Sequence, residues 1–209
     1  MKPIERTFSV ADQIPGYIYG HDCVPTSSVS TETLGGLKES AGFTAEDERY
    51  LRLVGTVLIG QTSQIVDLWR RQIIASIPNL ARHSLTLEGE PIPEYLAKSS
   101  LRFEKWIFDT CFREYDQSWL DYQREIAPRH TGAKKNEVDG VRSTAFVPYR
   151  DALAFVAVMN ETIKPFLANK GNSRDEVEAM HRAWRKSLQI QMALWAEPYI
   201  QASRAITEW

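Results

Sequence analysis

Apolar positions recur at three- and four-residue spacing over most of the chain, the signature of amphipathic helices. Leu96, Ser99, Phe103, Ile107 and Thr110 form one such stripe, with Ser100, Trp106 and Cys111 beside it. Ala152, Phe155, Met159, Ile163 and Phe166 form a second, and Val177, Met180, Trp184, Leu188, Met192 and Trp195 a third. Thr44 before Ala45-Glu46-Asp47-Glu48 reads as a helix cap with acids in the first turn. The helix it starts, or a pair of helices meeting near Gly55 or Gly60, runs to about Ile77, where Pro78 stops it. Pro91 and Pro93 precede the next helix, Asp116 caps one through Trp119, Gln123 and Ile126, Pro148 opens another, and Gly171-Asn172-Ser173 is a stop followed by a cap. Thr31 to Ser40 has modest helical character, broken by Gly35-Gly36, and the polar stretch from Thr131 to Val141 is a loop. No stretch alternates as a strand does. The pattern predicts an all-α protein of about seven or eight helices, the last two long, behind a loop-rich N-terminal arm.

The 209 residues suit one domain with that arm, divided as 1–30 and 31–209. The net charge is −2 and the basic residues are interleaved with acids, which argues against a nucleic-acid binder. No apolar run approaches the roughly 20 residues that span a bilayer, and no signal core follows the N-terminus, so a cytoplasmic location is expected. Cys23 and Cys111 fit no disulfide framework or zinc motif and read as free thiols, one of them buried.

Phosphate-binding loops and a serine elbow are missing from the sequence. Glu178-Ala179-Met180-His181 has the spacing of a di-iron ligand pair, but only one copy exists, so a solvated helix face is the better reading. His21 and His83 stand alone and read as surface or capping residues. His130 differs. It follows Trp119, Gln123 and Ile126 at spacings of four, three and four, just after Pro128 and just before a loop. A histidine at such a helix end can turn a ring nitrogen into an apolar cavity, as a porphyrin iron requires. The residues alone leave a partly exposed histidine equally open.

Stretches in a fixed order resemble one family. They are Ile14-Pro15-Gly16-Tyr17-Ile18-Tyr19-Gly20, Phe43-Thr44-Ala45-Glu46-Asp47-Glu48, Trp106-Ile107-Phe108-Asp109-Thr110-Cys111, and Tyr115 through Gln123 with Glu125-Ile126 and Arg129-His130. Lys134-Lys135-Asn136, Lys164-Pro165-Phe166-Leu167, Ala193-Leu194-Trp195 and Pro198-Tyr199 come after them. Together they resemble the protoglobins, single-domain globins related to the sensor domain of globin-coupled sensors. The resemblance implies a globin fold, a three-over-three helical sandwich with an extra N-terminal helix and arm. It implies heme b as cofactor, with His130 as proximal iron ligand, Trp69 as distal tryptophan, Phe103 and Phe155 flanking the heme, and Met159 at a small apolar pocket position. The Ile14–Gly20 arm matches a segment that folds over the heme edge, which makes Tyr17 a candidate contact. The implied ligands are O2, CO and NO. The implied assembly is a homodimer through the last two long helices, although the Met180–Trp195 stripe reads equally well as core.

One departure matters. The family commonly has a tyrosine after the distal tryptophan; here Arg70 stands there, and the stretch from Trp69 to Pro78 is one residue longer than usual. One added residue rotates the later side chains of an α-helix by about 100°, so Arg70, Arg71, Gln72 or none of them faces the ligand. Arg70 then either reaches a heme carboxylate or solvent, the better reading because a buried charge needs compensation, or faces the iron and favours anions such as nitrite, peroxide or fluoride. Three functions remain in view: a gas-binding carrier, scavenger or sensor; a heme enzyme with peroxidase-like or nitrite/NO chemistry; and a heme-free interaction module. Retention of His130 with both phenylalanines argues against the third, and the lack of an evident distal acid–base pair weakens the second. With no output domain after Trp209, a sensor would act through a separate partner chain.

Overall fold

The computed structural model describes residues 14–203, with side chains described through residue 200. The first thirteen residues of the predicted arm and the stretch from 204 to Trp209 lie outside that range. Among the described residues the structure is helical, and its nearest approach to a sheet is a single bridge between Leu85 and Pro91. We number the helices α1 (Thr31–Ser40), α2 (Ala45–Leu58), α3 (Thr62–Asp67), α4 (Pro78–Ala81), α5 (Pro93–Phe112), α6 (Gln117–Ile126), α7 (Tyr149–Ala168), α8 (Arg174–Trp195) and α9 (Glu197–Ser203).

Local chemistry sets most of the helix starts. Thr44 and Ser173 each form a reciprocal capping box, with Asp47 and Glu176 respectively, and the Asp116 carboxylate accepts from the Trp119 N–H. Two expectations fail. Gly35 and Gly36 do not break α1, which runs through both; Leu34 is buried and Leu37 packs on the core, and that packing outweighs the glycine penalty of about 1 kcal/mol each. Nor is the path from Gly60 to Ile77 one α-helix ended by Pro78. α3 passes into a π turn over Leu68–Ile73 and a 3-10 turn over Ile74–Ser76, and Pro78 then opens α4, at the first-turn position where a missing N–H costs nothing.

Helix α2 packs against α5, α7 and α8, while α7 and α6 pack against α8. Trp184, Trp119, Ile107, Ile163, Leu58 and Met180 are fully enclosed between them. Gly55 permits the close crossing of α2 and α5: a Cβ there would lie 2.6 Å from Phe112 Cζ and 2.8 Å from Cys111 Cβ. The stripe from Val177 to Met192 on α8 is buried within the single chain, so it is core. Cys111 is buried and Cys23 exposed, both as free thiols. No helix among the described residues is long and apolar enough to cross a membrane.

Candidate functional site

Pro128 cannot donate the backbone hydrogen bond that would continue α6, so the chain tightens into a 3-10 turn over Ala127–His130. The turn is pinned to the start of α7 because the Val147 N–H donates to the His130 carbonyl at 2.7 Å. It delivers the imidazole to a cavity of about 260 Å³ lined also by residues of α5, α7 and α8. Phe103, Phe155, Met159, Leu188 and Met192 supply apolar walls. The His130 ring stacks on Trp195 with centroids 5.0 Å apart. Its Nδ1 is buried with no partner in hydrogen-bond geometry. Burial pushes the His130 pKa down to about 4, against the opposing pull of the Ile126 and Ala127 carbonyls, so the ring is neutral at pH 7. A neutral, buried imidazole is the form that binds a metal.

Six of the seven residues picked out by sequence meet at this cavity: His130, Phe103, Phe155, Met159, Arg70 and Tyr17. Trp69 does not line it. Its ring lies behind Phe103, with centroids 5.1 Å apart, and its fully buried indole donates to Thr162 Oγ1 at 2.8 Å. Phe103 therefore stands between Trp69 and the open space, a placement that helical periodicity alone does not give.

The arm closes one side. The Tyr17 hydroxyl donates to Asp109 Oδ2 at 2.8 Å, and its ring meets Tyr122 edge-on at 5.4 Å. Arg102 donates to the Pro15 carbonyl and Arg129 to the Gly16 carbonyl, each at 2.7 Å. Gly16 holds φ of +75°, and a Cβ there would meet Val138 Cγ1 at 2.9 Å. Asp109 also binds Lys105 and Arg113, so one buried carboxylate ties the arm to α5.

Several residues of the cavity escaped the sequence reading. Trp106 and Trp195 line it, and their indole N–H groups donate to Gln191, itself on the lining, and to Gln123, each at 2.8 Å. The signal was a glutamine on an otherwise apolar helix face. His83, expected on the surface, is buried and lines the cavity. His83 Nδ1 pairs with Thr144 Oγ1 at 2.8 Å; its Nε2 stands 3.9 Å from Asp151 Oδ2, and both of those atoms are buried without a hydrogen bond. Lys135 lies on the same side, donating to the Thr144 carbonyl, and burial pushes its pKa down to about 8. His181, expected on a solvated face, is likewise buried, against the Asn160 carbonyl, and Glu178 pairs with Lys164. No group of acids, histidines or cysteines suited to a metal occurs among the described residues.

Burial, then the charges of Arg82 and Lys135, pushes the His83 pKa from 6.5 down to about 4. The unfolded chain therefore takes up this proton before the folded one. The contribution is complete above pH 6.5 and is lost as the pH falls toward 4. Apo-protein carrying His83→Gln should thus lose less stability than wild type between pH 7 and pH 4, measured by urea unfolding. Parallel curves would remove His83 from the acid response.

These features define a helical protein with an aromatic-walled cavity and two neutral histidines on its lining, His130 and His83. A protein-family model described as Protoglobin matches residues 30–205, and the chain belongs to that family. Its fold is a globin fold, and family membership makes it a globin-type, heme gas-binding protein. None of the curated proteins compared matches it.

Proposed function

We propose that the cavity holds heme b with its iron on His130, and that the ferrous form reversibly binds O2, CO and NO as a carrier, scavenger or sensor. One observation carries this reading: six residues that the resemblance picks out, from the arm to α7 and distant in sequence, converge on one cavity, the neutral His130 imidazole among them. A neutral imidazole carries a lone pair on one ring nitrogen, which iron can take. When bound, the heme supplies an iron with an open coordination position. The chain's part would be to enclose it between Phe103, Phe155 and Met159, with Tyr17 of the arm closing the same cavity. Arg102 and Lys135 also lie on the lining, where their positive charge would favour the carboxylates of the group. The Trp106 and Trp195 rings, each held by an indole N–H bond to a glutamine, would add aromatic wall. A cytoplasmic homodimer fits this role; the buried stripe of α8 is already used within one chain, so other faces of α7 and α8 would form the contact. The experiment is a CO-difference spectrum of the hemin-loaded, reduced protein.

A second reading, a heme enzyme with peroxidase-like chemistry, gains support from His83 and Asp151. They form an acid–base pair on the cavity that the sequence did not reveal. Peroxide-driven dye oxidation that His83→Gln abolishes, with CO binding intact, would favour it.

A further inference from the structure

The extra residue after Trp69 is taken up by the π turn, in which the Ile74 N–H reaches the carbonyls of both Trp69 and Arg70. The result is selective. Trp69 stays in the core, Arg71 is exposed and pairs with Asp67 at 2.8 Å, and Gln72 is exposed. Of the three polar residues in question, only Arg70 lines the cavity. Its guanidinium carbon stands 5.5 Å from the centroid of the Phe103 ring, and its Nε is buried without a hydrogen bond. Burial works against its charge, which the Tyr95 side chain and, more weakly, Asp139 support. The neighbouring carboxylate, Asp139, is taken by both arms of Arg102, and no carboxylate among the described residues forms an ion pair with Arg70. A guanidinium so placed is costly unless something in the cavity compensates it.

We propose that Arg70 is an anion-binding group of the cavity, pairing there with a carboxylate, halide or oxyanion. The anion has two possible sources: a carboxylate of the heme itself, or a small anion on the open side of its iron. The proposal rests on the heme reading above and adds the ligand class that this departure from the family pattern selects. A neutral tyrosine at this position would donate to a neutral diatomic; a guanidinium favours negative charge in a water-poor space.

The test compares wild type with Arg70→Met and Arg70→Lys. Sodium fluoride and sodium nitrite are titrated into the ferric, hemin-loaded proteins, CO into the ferrous ones, and hemin release to a heme scavenger is timed. Loss of one charge-assisted hydrogen bond corresponds to about tenfold to a hundredfold. A loss of that size in fluoride and nitrite affinity in Arg70→Met, with CO affinity held within about threefold and partial recovery in Arg70→Lys, assigns the anion to the iron's open side. Hemin release faster by a similar factor, with fluoride affinity unchanged, assigns it to the heme carboxylate. A third arm needs no heme: nitrite should raise the melting temperature of wild-type apo-protein and not that of Arg70→Met. If no arm separates Arg70→Met from wild type, the proposal is overturned. It is also overturned if the variant loses CO, fluoride and hemin in the same proportion and melts lower as apo-protein, since Arg70 then serves packing alone. A wild type that takes up no hemin overturns the heme reading instead and leaves the apo-protein arm to decide on Arg70.

Discussion

Replacing His130 with glycine should weaken heme binding by more than a hundredfold, and added imidazole should restore much of it. Partners in the outer shell of a metal site are each worth about 10–100-fold, so loss of the ligand itself exceeds that range. His130 offers the cavity a neutral imidazole at the end of α6 that no side chain engages by a hydrogen bond; His83, the other histidine on the wall, is tied to Thr144 and faces Asp151. The glycine variant leaves a ring-sized space against Trp195, which the free base can enter. The check is a hemin titration followed at the Soret band with and without imidazole. Unchanged binding in the variant would assign the iron to another residue.

The second large effect is expected at Asp109. Its carboxylate accepts from the Tyr17 hydroxyl and pairs with Lys105 and Arg113, all within one turn of α5 and the arm that crosses it. Both Asp109 and Lys105 are buried. Breaking a buried pair by removing one member costs about 3–5 kcal/mol, because the remaining charge stays desolvated. Asp109→Ala should therefore lower the unfolding free energy by roughly that amount. It should also release the Ile14–Gly20 segment, read as faster amide exchange there than in Asp109→Asn, which keeps a hydrogen-bond acceptor for Tyr17. Equal exchange in both variants, with a loss under about 1 kcal/mol, would mean that Arg102 and Arg129 hold the arm without help from Asp109.

Legibility in the sequence tracks how local the physics is. Caps at Thr44, Asp116 and Ser173 are decided within four residues, and each stands where the sequence placed it. The α5 and α7 stripes were likewise legible, but it was the resemblance that singled out Phe103, Phe155 and Met159 within them, and all three line the cavity. His130 needed more. Its spacing placed it on the α6 face, but the 3-10 turn imposed by Pro128 and the stack on Trp195 decide where its ring goes. The added residue after Trp69 was visible as a change in spacing, whereas its resolution as a π turn, with Trp69 and Arg70 both against the Phe103 ring of α5, was not. Trp69 shows the same limit: the resemblance makes it the distal tryptophan, and the structure sets it behind Phe103, off the cavity lining. His83 sits between short turns with no periodicity, and nothing in the neighbouring residues announces that Thr144 and Asp151, some sixty residues on, will enclose it.

The central claim, a heme gripped by His130 in this cavity and open to gases, is tested most directly by one set of spectra of the hemin-loaded protein. The account predicts a Soret band that saturates at one hemin per chain and, after reduction, shifts sharply and reversibly on addition of CO. A protein that stays colourless, or whose reduced spectrum ignores CO, would contradict it.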